Sequence, residues 1–88
     1  MSIEVRKPTE EEIKTAENWS TWTKEVSEFP WSYSDQETCL ILKGKAEVTT
    51  SGGEKVEFGA GDFVIFPPGL DCTWKIKEPI EKKYKFGK

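Results

Sequence analysis

Hydrophobic and polar residues alternate along most of the chain, in short segments separated by glycine and proline. A period of two places successive side chains on opposite faces of a β-strand. The segments with this pattern, or with a short apolar run, are residues 3–5, 37–43, 45–50, 55–58, 63–66, 72–76 and 80–86. Short strands divided by glycine or proline turns are typical of antiparallel sandwiches and barrels. The sequence therefore predicts an all-β fold.

Turns and apolar runs refine this pattern. Gly44 is expected to end the strand at 37–43, and the Ser-Gly-Gly at 51–53 is expected to form a hairpin turn. Residues 63–66 read Phe-Val-Ile-Phe, which predicts a strand buried on both faces. Lysine is frequent in residues 75–88, which predicts an edge strand whose lysines oppose aggregation.

One helix is expected near the N-terminus. Thr9 and Glu12 form a capping-box pattern, which favours the start of a helix. The helix would span residues 10–18, with Ile13 and Ala16 as its apolar positions. With so few apolar residues it should be short and lie on the surface.

Composition narrows the possible functions. The 88 residues fit one domain, which we assign to residues 1–88. The net charge is −3, so the chain lacks the basic surface that nucleic-acid binding requires. Histidine is absent, which excludes imidazole metal ligands and imidazole acid–base catalysis. No apolar run approaches the ~20 residues of a membrane-spanning helix. The net charge therefore argues against a nucleic acid as a partner, and the lack of a long apolar run argues against a membrane.

Cysteine use indicates a reducing compartment. Cys39 and Cys72 are too few for a disulfide scaffold. The first residues contain no long apolar segment, so a secretory signal is absent or already removed. The expected location is the cytoplasm, with an organelle entered after loss of a transit peptide as the alternative.

The central stretch resembles the first motif of the cupin superfamily. That motif has two histidines separated by one residue, then a glutamate, then a hydrophobic strand ending in glycine. Trp31 and Tyr33 stand at the two histidine positions of this chain. Glu37 stands at the glutamate position, and Gly44 follows the strand.

The second cupin motif follows at the expected spacing. It has glycine, five residues, Pro-x-Gly, two residues and a third histidine. Gly61 and the Pro-Pro-Gly at 67–69 match it, and Cys72 stands at the histidine position. More narrowly, the chain resembles small stand-alone cupins grouped with the ureidoglycine aminohydrolase and ethanolamine-utilisation cupins.

The resemblance implies a fold and an oligomeric state. The fold would be an RmlC-like jelly roll, the double-stranded β-helix of cupins, after a short N-terminal helical turn. Small cupins often pair through edge strands, so the resemblance also implies a homodimer. Leu40 and Leu42 would lie on the outer face of their strand and contact either a second sheet or the partner.

The resemblance places a metal in the mouth of the barrel, but the ligands have changed. Trp31 offers an indole and Tyr33 a phenol, which are poor ligands for a divalent ion at neutral pH. We therefore expect no metal and no other cofactor. A zinc or iron site at Glu37, Cys39 and Cys72 is chemically permitted as an alternative.

Without a metal, the expected site is an aromatic-lined pocket centred on Glu37 that binds a small polar ligand. Burial disfavours the ionised form of a carboxyl group, so Glu37 could anchor a ligand or act as a general acid or base. The residues expected to bind ligand are Trp31, Tyr33, Glu37, Cys39, Cys72 and Trp74.

Two alternatives remain open at this point. In a metal-independent enzyme, Glu37 would transfer a proton, with Tyr33 or Cys72 as its helper. In the other alternative, the same rings fill the interior, as side chains do in small barrels. The protein would then be a packed dimeric interaction protein.

Overall fold

The structure is a computed structural model that describes residues 2–87. These residues form one helix and seven strands: β1 (Glu4–Arg6), α1 (Glu10–Ala16), β2 (Ser20–Lys24), β3 (Ser27–Ser32), β4 (Glu37–Thr50), β5 (Lys55–Gly59), β6 (Phe63–Phe66) and β7 (Asp71–Phe86). The predicted all-β fold with a short N-terminal helix is confirmed. Among the described residues, no helix is both long enough and apolar enough to cross a membrane.

All seven strands belong to one antiparallel sheet. The order is β1-β6-β4-β7-β2, with β3 also paired to β7 and β5 to β4. Over the described residues this order runs from β1 to β2 without closing on itself. The turn at 51–53 joins β4 and β5 in a hairpin, as predicted.

The two long strands, β4 and β7, form the centre of the sheet. They pair from Glu37 opposite Phe86 to Thr50 opposite Cys72. β7 also pairs with β2 and β3 along its other side. The lysine-rich C-terminal segment is therefore a central strand, and the prediction of an edge strand is wrong. An antiparallel strand can carry lysines on a solvated face while its other face is buried.

Gly44 lies within β4 and does not end a strand, contrary to the prediction. Its φ is +93°, and the register between β4 and β7 shifts on both sides of it, which marks a β-bulge. A Cβ at this position would collide with the carbonyl group of Pro79 on β7. Glycine thus lets the two strands approach at the irregularity. Pro79 also lies within β7, which joins the segments 72–76 and 80–86 that the sequence predicted as separate strands.

Residues 20–32 form β2 and β3, although the hydrophobic pattern predicted no strand there. Most of their side chains are exposed, which leaves little alternation to detect. These strands acquire their structure by pairing with β7.

The apolar residues form two clusters on opposite sides of the sheet. Val64 and Phe66 join the larger core, and Phe63 joins a smaller cluster with Ile65 packed against it. The prediction that residues 63–66 are buried on both faces is confirmed. Leu40 is buried in the smaller cluster.

Helix α1 covers the smaller cluster through Ala16, which is fully buried. Leu40 is therefore covered by this helix and not by a second sheet or a partner, whereas Leu42 is exposed. The helix has the predicted capping box, with Thr9 Oγ1 accepting from the Glu12 N–H at 3.1 Å and Glu12 Oε1 accepting from the Thr9 N–H at 2.9 Å.

The helix ends two residues before the predicted position. The N–H groups of Glu17 and Asn18 bond to carbonyls three residues earlier, so the last turn tightens there.

Candidate functional site

A pocket of about 190 Å³ lies among side chains from β2, β3, β4, β7 and the segment after β3. Its lining consists of Trp22, Phe29, Trp31, Tyr33, Glu37, Trp74, Lys82, Tyr84 and Phe86. Seven of these nine side chains are aromatic, and the other two carry opposite charges. This volume is below the roughly 300–1,000 Å³ of sites that bind drug-sized molecules. The pocket can therefore hold a ligand of about one ring.

Glu37 and Lys82 form an ion pair in this pocket. Nζ of Lys82 donates to Oε2 of Glu37 at 2.6 Å, and the two side chains are 6% and 3% exposed, respectively. Lys82 lies opposite Ile41, four residues along β4 from Glu37. The lysine side chain therefore extends along the sheet to reach the carboxylate.

Aromatic rings surround the ammonium group of Lys82. Nζ lies 4.8 Å from the ring centroids of both Trp22 and Trp74, and 5.9 Å from that of Tyr84. A cation within about 6 Å of a ring centroid is attracted by the electrons of the ring face. The charge of Lys82 is thus balanced by rings as well as by a carboxylate.

Four of the six predicted ligand-binding residues line the pocket: Trp31, Tyr33, Glu37 and Trp74. Trp31 is 46% exposed and lies at the mouth of the pocket, whereas Tyr33 and Trp74 are buried. Nε1 of Trp74 donates to Oη of Tyr33 at 3.0 Å. The β3–β7 pairing places Trp31 beside Cys72 and brings this aromatic group together.

The phenol of Tyr33 stays neutral. Burial, followed by the charge of Glu37, raises the pKa of Tyr33 above its usual range. A neutral phenol can accept the hydrogen bond from Trp74 and keep an O–H to donate.

The other two predicted residues, Cys39 and Cys72, are buried free thiols that the pocket lining does not include. Burial raises the pKa of Cys39 to about 12. Burial, with the charges of Asp71 and Glu37, raises the pKa of Cys72 to about 11. Sγ of Cys72 donates to the carbonyl oxygen of Trp31 at 3.5 Å. Thiols with such high pKa values are protonated at neutral pH and are weak nucleophiles.

Five of the lining residues were not predicted as site residues: Trp22, Phe29, Lys82, Tyr84 and Phe86. The sequence pattern placed Lys82 among the surface lysines of residues 75–88, although it lies two residues from both Ile80 and Tyr84. Residues two apart share one face of a strand, so this phase could have placed Lys82 inside. Trp22 and Phe29 lie on the two strands that the pattern did not reveal.

The site does not fit the metal that the resemblance implies. The carboxylate of Glu37 binds the ammonium of Lys82. Within residues 2–87, no three cysteine, aspartate or glutamate side chains come together as candidate metal ligands. The alternative zinc or iron site at Glu37, Cys39 and Cys72 is therefore not formed.

Known proteins share both the sequence pattern and the fold. The EutQ-like cupin domain matches residues 11–84. A solved DUF861 family protein from Thermotoga maritima is 49% identical, with a TM-score of 0.93, over 97% of this chain and 99% of that chain. No curated protein matches the chain.

More distant structures share the fold alone. A putative ethanolamine utilization protein Q from Salmonella typhimurium has 22% identity and a TM-score of 0.69, over 76% of this chain and 54% of that chain. The EutQ protein of Clostridium difficile has 16% identity and the same TM-score, over 76% and 52%. This chain thus spans about half the length of each of these two proteins.

The family match covers most of the chain and includes both motifs on which the resemblance was based. The cupin jelly roll and the relation to ethanolamine-utilisation cupins, both predicted from sequence, are confirmed. The chain belongs to the family of EutQ-like cupin domains.

Proposed function

We propose that the protein binds a small polar molecule in the aromatic-lined pocket, at the Glu37–Lys82 pair. The observation that carries this proposal is an ion pair, more than nine-tenths buried, in the lining of an otherwise aromatic pocket. Removing two charges from water is costly, and well-packed apolar residues are often at least as stabilising. In ligand sites, by contrast, a few polar groups among apolar walls fix the orientation of the ligand.

The mouth of the pocket supports the same proposal. Trp31 is 46% exposed and Phe86 is 53% exposed, and both line the pocket. Large exposed rings beside a cavity are typical of binding sites, since a ligand covers them. A completely packed interior would leave these two rings without a role.

Binding is favoured here over acid–base catalysis. Glu37 is already hydrogen-bonded to Lys82 at 2.6 Å, so its proton transfer to a substrate would have to compete with this ion pair. The predicted helper Cys72 has a pKa of about 11 and does not line the pocket. Tyr33 lines the pocket with a neutral phenol, which suits a hydrogen-bond donor to a bound ligand.

Titration with single-ring probes tests the proposal. We expect phenol, benzamide, benzoate or benzylamine at millimolar concentration to shift the indole N–H resonance of Trp31 in a saturable way. The resonance of Trp19, which packs against Phe63 outside the pocket, should stay in place. If no single-ring probe, neutral or charged, gives a saturable shift at Trp31, the proposal is wrong.

Matched variants localise the binding. Trp31→Ala should weaken binding of the best probe about tenfold, because it removes an aromatic wall from the pocket. Binding to this variant is followed at the indole resonance of Trp22, which also lines the pocket. Val26→Ala, at another exposed apolar residue, should leave the affinity unchanged. Equal losses in both variants would show that the probe binds elsewhere.

We also propose that the protein works in the cytoplasm, where its two free thiols would stay reduced, and that it forms a homodimer, as the resemblance implies. Leu42 on β4 and Val5 on β1 are exposed apolar residues outside the pocket, available for contact with a second copy. Analytical ultracentrifugation should give twice the 10.1 kDa of one chain at micromolar concentration. A mass of one chain under these conditions would reject the dimer.

A further inference from the structure

We propose that the pocket selects a neutral single-ring molecule carrying a hydrogen-bond acceptor and a donor side by side, as a lactam does. This inference rests on the proposed function and names the ligand class for the same site. It follows from the two charges in the pocket and from the rings around them.

A cationic ligand does not fit, because the protein supplies its own cation. Trp22 and Trp74 alone would resemble the aromatic cages that bind quaternary ammonium groups. The ammonium of Lys82 already occupies that position, 4.8 Å from both ring centroids. A second cation in so small a pocket would lie close to Lys82, and repulsion is strong where water is excluded.

An anionic ligand is disfavoured for the opposite reason. The carboxylate of Glu37 lies 2.6 Å from the Lys82 ammonium, so the pair carries no net charge. An anion would either face this carboxylate or displace it from Lys82. Displacement would leave a buried charge without its partner, which is strongly unfavourable.

A neutral ligand can use both charged groups without separating them. An ammonium has three N–H donors, and only one is needed for the bond to Oε2 of Glu37. The ionised carboxylate accepts at two oxygens, so it also has acceptor capacity left. The edge of a lactam presents a carbonyl oxygen beside an N–H. The oxygen can accept from Lys82 while the N–H donates to Glu37.

The size and walls of the pocket set the rest of the ligand. A volume of about 190 Å³ is below the roughly 300–1,000 Å³ of drug-sized sites, which limits the ligand to about one ring. Phe29 and Trp74 are parallel to within 8°, with centroids 6.2 Å apart, and Trp31 stands edge-on to Phe29. The apolar surface that these rings present to the pocket suits the uncharged part of such a molecule.

Four probes of similar size separate the classes. They are δ-valerolactam, N-methyl-δ-valerolactam without the donor, cyclopentanecarboxylate as the anion and piperidinium as the cation. We expect δ-valerolactam to bind at least about tenfold more tightly than the other three, measured at the Trp31 indole resonance.

Substitutions at Glu37 or Lys82 should change which of the four probes binds most tightly. Glu37→Gln leaves the Lys82 charge uncompensated, so cyclopentanecarboxylate should become the tightest of the four probes. Lys82→Met leaves Glu37 uncompensated beneath aromatic rings, so piperidinium should become the tightest. Glu28→Gln, an exposed carboxylate on β3, is the matched control and should keep the wild-type order. If Lys82→Met does not fold, the order of probe affinities in the wild-type protein and in Glu37→Gln still tests the proposed ligand class.

The possible failures are distinguishable. Tighter binding of either ion than of δ-valerolactam to the wild-type protein, with saturation at Trp31, overturns the ligand class and leaves the proposed binding function intact. The ligand class is also overturned if the N-methyl lactam binds as tightly as δ-valerolactam. Absence of saturable binding for these four probes and for the four aromatic probes overturns both proposals.

Discussion

Replacement of Lys82 by methionine should destabilise the protein strongly. Methionine keeps most of the side-chain volume, so the variant removes the charge and leaves packing largely in place. Glu37, whose side chain is 3% exposed, would then be a buried carboxylate without its partner. Breaking a buried ion pair by removing one member typically costs about 3–5 kcal/mol.

This loss is a large fraction of the free energy of unfolding, which is about 5–15 kcal/mol for ordinary domains. A domain of this size shifts its melting temperature by about 4–8 °C per kcal/mol. Lys82→Met should therefore melt at least about 12 °C below the wild-type protein. Adding Glu37→Gln removes the second charge, so the double variant should regain much of the loss.

Urea denaturation of the four proteins in a double-mutant cycle measures the effect. The sum of the losses in free energy of unfolding in the two single variants should exceed the loss in the double variant by about 2 kcal/mol or more. Lys75→Met, at an exposed position on the same strand, should stay within about 0.5 kcal/mol of wild type. If Lys82→Met costs less than about 1 kcal/mol, or if the two losses simply add, the assignment of a buried ion pair is wrong.

Three further predictions concern other parts of the molecule. In urea denaturation, Gly44→Ala should lower the free energy of unfolding several times more than Gly53→Ala. Both glycines have φ of +93°, but of the two only Gly44 would bring a Cβ against the opposite strand. Equal losses in the two variants would contradict the close approach of β4 and β7 at Gly44. In native protein Cys39 should not react with a disulfide reagent at about pH 8, because a pKa of about 12 keeps the thiol protonated; fast reaction before unfolding would contradict this. The Arg6 guanidinium and the Thr9 backbone N–H lower the pKa of Glu12 to about 2, so its carboxylate should stay ionised down to that pH in an NMR titration. In Arg6→Gln this titration midpoint should rise towards the ordinary glutamate value, and an unchanged midpoint would contradict the Arg6–Glu12 contact.

The all-β fold was predictable because alternation and turn residues are local signals. β4, β5, β6 and β7 contain the segments that alternate or are continuously apolar. The strand breaks at Gly44 and near Pro79 were wrong for one shared reason. Gly44 lies against the carbonyl group of Pro79 across the β4–β7 pairing, and a contact between strands leaves no local pattern.

The candidate site was predictable in part. Four lining residues were found because they stand at positions of the first cupin motif or on an alternating strand: Trp31, Tyr33, Glu37 and Trp74. Lys82 was missed because lysine is taken as a surface residue unless its strand phase is considered. The phase with Ile80 and Tyr84 was visible, but only the β4–β7 pairing brings Lys82 to Glu37.

The ion pair also explains how this cupin differs from the metal-binding pattern. The glutamate of the first motif keeps its position on β4, but its oxygen accepts from an ammonium of the same chain. Lys82 thereby places an ammonium group beside this carboxylate, where the resemblance implies a metal ion.

The most direct test of the ion pair is the NMR spectrum of the lysine ammonium groups in native protein. The account predicts one ammonium signal protected from exchange with water and shifted by the rings of Trp22 and Trp74. This signal should vanish in Lys82→Met and move in Glu37→Gln. If every ammonium group exchanges with water as fast as in the unfolded chain, the Lys82 charge is not enclosed with Glu37 and the account is contradicted.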